Sequence, residues 1–153
     1  MAFTVTRSGQ SLVPPSETTP TGTLHLSVVD RVPGLRHMVR SLHVFTHVRD
    51  AAKVIRGALS KALVPYYPFA GRLAGSTEHN NVRVECTGEG AWFVGATLNR
   101  TLEDVTHLDH PLVLSPDDLL PCPHPDIIHP LDLPLMMQYL STPSPMASEW
   151  PSS

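Results

Sequence analysis

Leu24, Leu26 and Val28 are spaced two apart, with His25 and Ser27 between them, a period that predicts a short strand ending at Asp30. Leu42, Val44 and Phe45 among polar neighbours predict a second strand over 41–48, and the stretch 31–40, holding Pro33-Gly34, reads as a loop between the two. The period then changes. After Asp50, a residue suited to cap a helix, Val54, Ile55, Ala58, Leu59, Ala62 and Leu63 form one stripe at helical spacing, with Lys53, Arg56 and Lys61 off it. Pro65 should stop that helix. Tyr66-Tyr67-Pro68-Phe69-Ala70-Gly71-Arg72-Leu73 follows as a dense aromatic turn expected to bury a large apolar area. Val82–Cys86 and Ala91–Thr97 read as two strands, and Thr87-Gly88-Glu89-Gly90 between them as the turn of a hairpin. Beyond Leu98 the pattern weakens, with one short helix expected near Leu102 to His107 and no internal repeat.

Composition changes this picture mainly at the ends. The 153 residues include 16 prolines, about twice the roughly 5% of an average protein, concentrated at 14–20 and 111–151. Both ends are therefore expected to be poor in regular structure. The net charge is −3, from 11 basic and 14 acidic residues without runs of like charge, so neither nucleic acid nor an anionic membrane is an expected partner. No stretch has the length and apolarity of a secretory signal or a membrane span, which makes the cytoplasm the expected location. Cys86 and Cys122 belong to no Cys-x-x-Cys pattern and read as two reduced thiols, and the sequon Asn99-Arg100-Thr101 is expected to be idle.

Candidate chemistry is sparse. Among 9 histidines, His107-Leu-Asp-His110 and His124-Pro-Asp-Ile-Ile-His129 set imidazoles beside carboxylates. The prolines around them and the lack of a regular element to fix ligand geometry argue against a metal site. His43 and His47 would align on a helix, but their segment has the pattern of a strand. No Gly-x-Ser-x-Gly elbow, P-loop or Gly-x-Gly-x-x-Gly occurs, and the glycines at 88 and 90 fit a tight turn better than a phosphate cradle. The residues by themselves lead to a mixed α/β domain with no identifiable active site.

One stretch says more. Ala58-Leu-Ser-Lys-Ala-Leu-Val-Pro-Tyr-Tyr-Pro-Phe-Ala-Gly-Arg-Leu73 resembles the signature of the plant BAHD acyl-CoA-dependent acyltransferases. Leu26-Ser-Val-Val-Asp30 is similar to that family's first strand and Val84-Glu-Cys-Thr-Gly-Glu-Gly-Ala-Trp-Phe-Val94 to its hairpin. Asp118-Leu-Leu-Pro121 and Leu133-Pro-Leu-Met-Met-Gln138 are similar to its approach to the catalytic strand. The resemblance implies an α/β chain forming a partial N-terminal domain, residues 1–138, of the two-domain CoA-dependent acyltransferase (chloramphenicol acetyltransferase-like) fold. It also implies acyl-CoA as co-substrate, a small-molecule acceptor, no metal and no bound cofactor. The family's base is the His of a His-x-x-x-Asp motif, but none of the 9 histidines here has Asp four positions on. The Asp-Phe-Gly-Trp-Gly motif of the second domain is absent too. No catalytic residue is therefore assigned, and the cofactor-binding residues are unknown.

The family pattern breaks at Tyr139. Pairing the third base of each codon with the first two of the next, Ser141 to Ser153 is readable as His-Ala-Val-Ala-Asp-Gly-Leu-Gly-Met-Ala-Gln-Phe. Met146-Ala147 forces the Gly after Asp, Trp150-Pro151 forces the Ala after Met, and Glu149-Trp150 allows only Met or Val; the rest is permitted rather than forced. Residues 139–153 are thus expected to be a frame-shifted, disordered tail. The expectation is an acyltransferase relative inactive as it stands, the alternative a noncatalytic fragment or partner-binding remnant.

Overall fold

The computed structural model describes residues 2–32, 39–45, 50–75, 81–121 and 132–143. They form two three-stranded sheets, ordered β1-β5-β6 and β2-β4-β3, with one helix of three turns, α1 (Ala51–Ala62), and one of a single turn, α2 (Pro116–Leu119). The strands are β1 (Val5–Val13), β2 (Gly22–His25), β3 (Arg72–Ala74), β4 (Arg83–Cys86), β5 (Ala91–Leu98) and β6 (Met136–Ser141).

β5 organises the core. Its run Ala91-Trp92-Phe93-Val94 is buried on both faces, so the strand needs cover above and below and takes the centre of its sheet. Ala91 and Phe93 face α1 through Leu59 and Leu63, whereas Trp92 and Val94 pack with Leu133, Leu12 and Met136. Leu98 closes a third cluster with Val105 and Leu114. β1 pairs antiparallel with β5 from Val5↔Leu98 to Val13↔Ala91, with a bulge between Ser8 and Ser11 around Gly9, whose φ is 62°. β6 pairs parallel with β5 from Trp92↔Met136 to Thr97↔Ser141. Only part of the apolar stripe of α1 meets this sheet: Leu59 and Leu63 are buried and Ile55 packs against them, whereas Val54, Ala58 and Ala62 are exposed. Arg56 lies 5.6 Å over the Phe93 ring while donating to Ser11 Oγ.

Several expectations need correction. The hairpin does not form: β4 pairs with β2 and β3, β5 with β1 and β6, so Thr87–Gly90 carries the chain from one sheet to the other. Gly90 makes that crossing feasible, since its φ is 108° and a Cβ there would stand 2.3 Å from Val13 O. The proline stretch 14–20 has no helix or strand, as expected, but the residues before it form β1, and Ser60 Oγ donates to Pro14 O at 2.8 Å to hold the stretch on α1. The strand expected to end at Asp30 stops at His25, with all four of its residues exposed. Residues 41–45 form no strand, and the rest of that expected strand lies outside the described residues, as do 33–38 of the expected loop.

The aromatic turn is a 3₁₀ turn over Tyr67–Ala70; it fully buries Ala70 and Gly71, half-buries Tyr67, and leaves Tyr66 63% and Phe69 45% exposed. Gly71 lies so close to β4 that a Cβ would be 2.3 Å from Glu85 O. Asp50 stands at the N-cap of α1 in left-handed conformation, without a side-chain hydrogen bond. In place of a helix over 102–107 there is a 3₁₀ turn, Thr106–Leu108. β6 crosses the expected boundary at 138/139, so Tyr139, Leu140 and Ser141 belong to the sheet and not to a disordered tail; 144–153 lie outside the described residues.

Candidate functional site

β5 and β6 form the one parallel pair among the described residues, and the C-terminal ends of parallel strands are where α/β sheets place their ligands. That end is built from Thr97 and Ser141, whose hydroxyl oxygens stand 3.2 Å apart; Ser141 Oγ also donates to Ala96 O at 3.2 Å. Thr142 and Pro143 then leave the sheet without regular structure.

β6 is held in place by polar contacts one layer below. Gln138 Nε2 donates to Asp118 O at 2.7 Å, and Arg7 Nε donates to Gln138 Oε1 at 3.2 Å. Arg7 Nη2 donates to Asp117 O and Leu120 O, so a cation sits on the C-terminal carbonyls of α2, where the helix dipole favours it. Ser115 caps the other end, its Oγ accepting from Asp117 N at 3.2 Å, with Asp117 and Asp118 in the first turn. β1, α2 and β6 are thereby linked through side chains and main-chain oxygens.

The groups with displaced proton affinities lie elsewhere. Hydrogen bonds from Arg83 and Thr23 hold the Glu85 carboxyl below the usual glutamate range. Backbone and side-chain hydrogen bonds from Thr101 do the same for Asp104. Burial pushes the Cys86 thiol up, and the charge of Glu85 adds to it. Burial lowers the Arg72 guanidinium, against the opposing pull of Glu89. None of these residues is on β5 or β6, so they do not assemble a base and a nucleophile at the strand ends. An open apolar groove of about 210 Å³ lies between α1 and the 3₁₀ turn, lined by Leu59, Ala62, Leu63, Tyr66, Phe69 and Leu135.

The histidines singled out in the sequence are not brought together. His43 lies in the irregular segment 41–45 and His110 precedes Pro111 in a loop, while His47, His124, His129 and the side chain of His107 lie outside the described residues. Among the described residues no three His, Cys, Asp or Glu side chains converge as a metal site would require, and Cys86 is a buried free thiol; Cys122 lies outside them. Glycines 88 and 90 serve the crossing between sheets. Sequence reasoning missed Arg7 and Gln138 as supports of β6, because their partners are main-chain oxygens of a helix more than a hundred residues from Arg7, or of the loop after it. No helix among the described residues is long and apolar enough to cross a membrane.

Comparison with known proteins gives consistent results. The Transferase family model matches residues 3–127. Acyl transferase 4 of Oryza sativa subsp. japonica is 53% identical over 150 residues, covering 90% of this chain and 34% of that protein. Myricetin 3-O-glucosyl 1,2-rhamnoside 6'-O-caffeoyltransferase AT2 of Crocosmia x crocosmiiflora is 46% identical over 141 residues, covering 90% of this chain and 32% of that protein. The chain thus spans about a third of the length of these curated relatives. The crystal structure of vinorine synthase superposes with a TM-score of 0.55 at 20% identity, over 91% of this chain and 35% of that one, a likeness of fold.

Proposed function

This chain belongs to the Transferase family, the BAHD-type plant acyltransferases, and we propose that it represents the N-terminal part of an enzyme that moves an acyl group from acyl-CoA to a plant metabolite. The 53% identity to a rice acyl transferase over 90% of the chain carries this reading. On it, the acceptor is a hydroxyl or amine and the acyl group is of acetyl, benzoyl or hydroxycinnamoyl type; the caffeoyltransferase relative favours the last of these. Acyl-CoA is a co-substrate, there is no resident cofactor or metal, and the enzyme works in the cytoplasm, in secondary metabolism.

In such a transfer a general base removes the acceptor proton as its oxygen or nitrogen attacks the thioester carbonyl, the new C–O or C–N bond forms, and the C–S bond breaks to release the CoA thiolate, which takes up a proton. A positioned base is worth roughly 10²–10⁴ in rate. The 153 residues contain no His followed four positions on by Asp, so the polypeptide as it stands has no such base and no catalytic residue is assigned to it. The same absence favours a second reading, in which 1–138 is a noncatalytic remnant and 139–153 a frame-shifted tail.

Two assays separate the readings. The 153-residue chain, incubated with acetyl-, benzoyl- and caffeoyl-CoA and a panel of alcohols and amines, is expected to give no turnover above a heat-killed control. Sequencing of the transcript across the Gln138 codon, followed by expression of whatever frame runs on into His-x-x-x-Asp, is expected to give acyl transfer. Turnover by the short chain would overturn its inactivity, and an inactive uninterrupted product would overturn the acyltransferase reading.

A further inference from the structure

The two sheets share no strand, and the chain passes from β4 to β5 through Thr87–Gly90. Three of the contacts that secure this crossing come from one side chain. Arg72, on β3, donates through Nη1 to Gly90 O at 3.0 Å and to Gly71 O at 2.7 Å, and its Nε lies 2.8 Å from Glu89 Oε2. Gly90 N in turn donates to Ala70 O at 3.0 Å. The Arg72 side chain is 14% exposed, whereas Glu89 is 52% exposed, so the charge is desolvated at the crossing and its counter-ion faces water. The residue after Gly90 opens β5, and Trp92, one further on, donates to Leu135 O at 3.4 Å and is paired with Met136 at the root of β6.

We infer that Arg72 is a positioning residue: by tying the main chain at Gly90 and Gly71 together, it fixes the root of the β5–β6 pair against the β2-β4-β3 sheet. This rests on the acyltransferase reading, in which the strand pair leads towards the reacting centre. The planar guanidinium suits the task because it presents separate N–H groups to a carboxylate and two carbonyls at once. A lysine ammonium at the end of a flexible stem keeps the charge and loses that fixed spacing.

The test uses the full chain carrying Cys122→Ser, so that buried Cys86, at the end of β4, is the only thiol. Alkylation of Cys86 under native conditions reads local opening of the crossing, amide hydrogen exchange of Met136–Ser141 reads β6, and denaturant unfolding reads global stability. Arg72→Lys is expected to raise the Cys86 alkylation rate by about tenfold beyond what its global destabilisation accounts for, with a parallel rise in β6 exchange. Glu89→Gln, which leaves both carbonyl contacts in place, is expected to raise both about twofold and decides the matter if Arg72→Lys does not fold. Changes in step with global stability, or a loosened Cys86 with β6 still protected, would overturn the assignment. None of these readouts involves acyl transfer, so an error in the acyltransferase reading would appear in the turnover assays and not here.

Discussion

The two sheets bury their strands differently. In the β1-β5-β6 sheet the central strand is covered on both faces, and all three core clusters are built on it. In the β2-β4-β3 sheet the central strand alternates: Val84 and Cys86 are buried, Arg83 and Glu85 half-buried and ion-paired at 2.6 Å, and β2 is exposed throughout, with Leu24 at 41%. A strand with two apolar faces draws partners from distant sequence, here β1 and β6, and anchors the domain. A strand with one apolar face makes a thinner layer held more by its hydrogen-bond ladder.

The largest expected effect comes from comparing one core position in each sheet. Phe93→Ala removes a ring that is 2% exposed and packed on α1, and should cost about 3–5 kcal/mol. Val84→Ala, at the centre of the other sheet, removes two methyl groups and should cost about 2 kcal/mol. Urea unfolding of both variants checks the ranking. Equal losses would show that the smaller deletion in the β2-β4-β3 sheet costs more for each atom removed, and would break the comparison.

That asymmetry was only partly legible in the sequence. α1 was readable because its stripe runs at one period from Val54 to Leu63, and β5 because Ala91-Trp92-Phe93-Val94 is continuously apolar. The same continuity argued against a hairpin, whose strands alternate, but Thr87–Gly90 supplied the stronger local signal and hid it. β1 was unreadable: Arg7-Ser8-Gly9-Gln10-Ser11 is polar, and the strand exists because β5, some ninety residues on, lacks a neighbour. The absence of a His-x-x-x-Asp base was visible directly. The support of β6 by Arg7 and Gln138 was not, because both bind main-chain oxygens that no side-chain pattern reveals.

A smaller effect should separate the sheets by pH. The strands β1, β5 and β6 contain no carboxylate, whereas β4 carries Glu85, held below the usual glutamate range by Arg83 and Thr23. A carboxyl whose folded value is depressed adds stability above its unfolded value and loses it as pH falls through the folded one. Acidification below the ordinary glutamate range should therefore expose Cys86 on β4 to alkylation by an acid-tolerant reagent before Trp92 on β5 becomes quenchable. Glu85→Gln should remove that lag. Simultaneous exposure of the two reporters in the unsubstituted chain would mean that the sheets open together.

The smallest effect is expected at the C-terminal end. Residues 144–153 are rich in proline and serine and carry no apolar periodicity, a sequence from which little contribution to stability is expected. The end of β6 does contribute: Tyr139 packs with the cluster of Leu59 and Phe93, Leu140 with that of Leu98, and Ser141 pairs with Thr97. Deleting 144–153 should leave the melting temperature unchanged, whereas moving the cut back to Gln138 should lower it by several degrees, since a loss near 1 kcal/mol shifts a domain of this size by about 2–6 °C. Scanning calorimetry of the two truncations decides. A drop on removing 144–153 alone would mean that a segment whose family-like reading lies in another frame has nonetheless acquired a packed place, and the difference between the two sheets would then have to be recalculated with that segment as part of one of them.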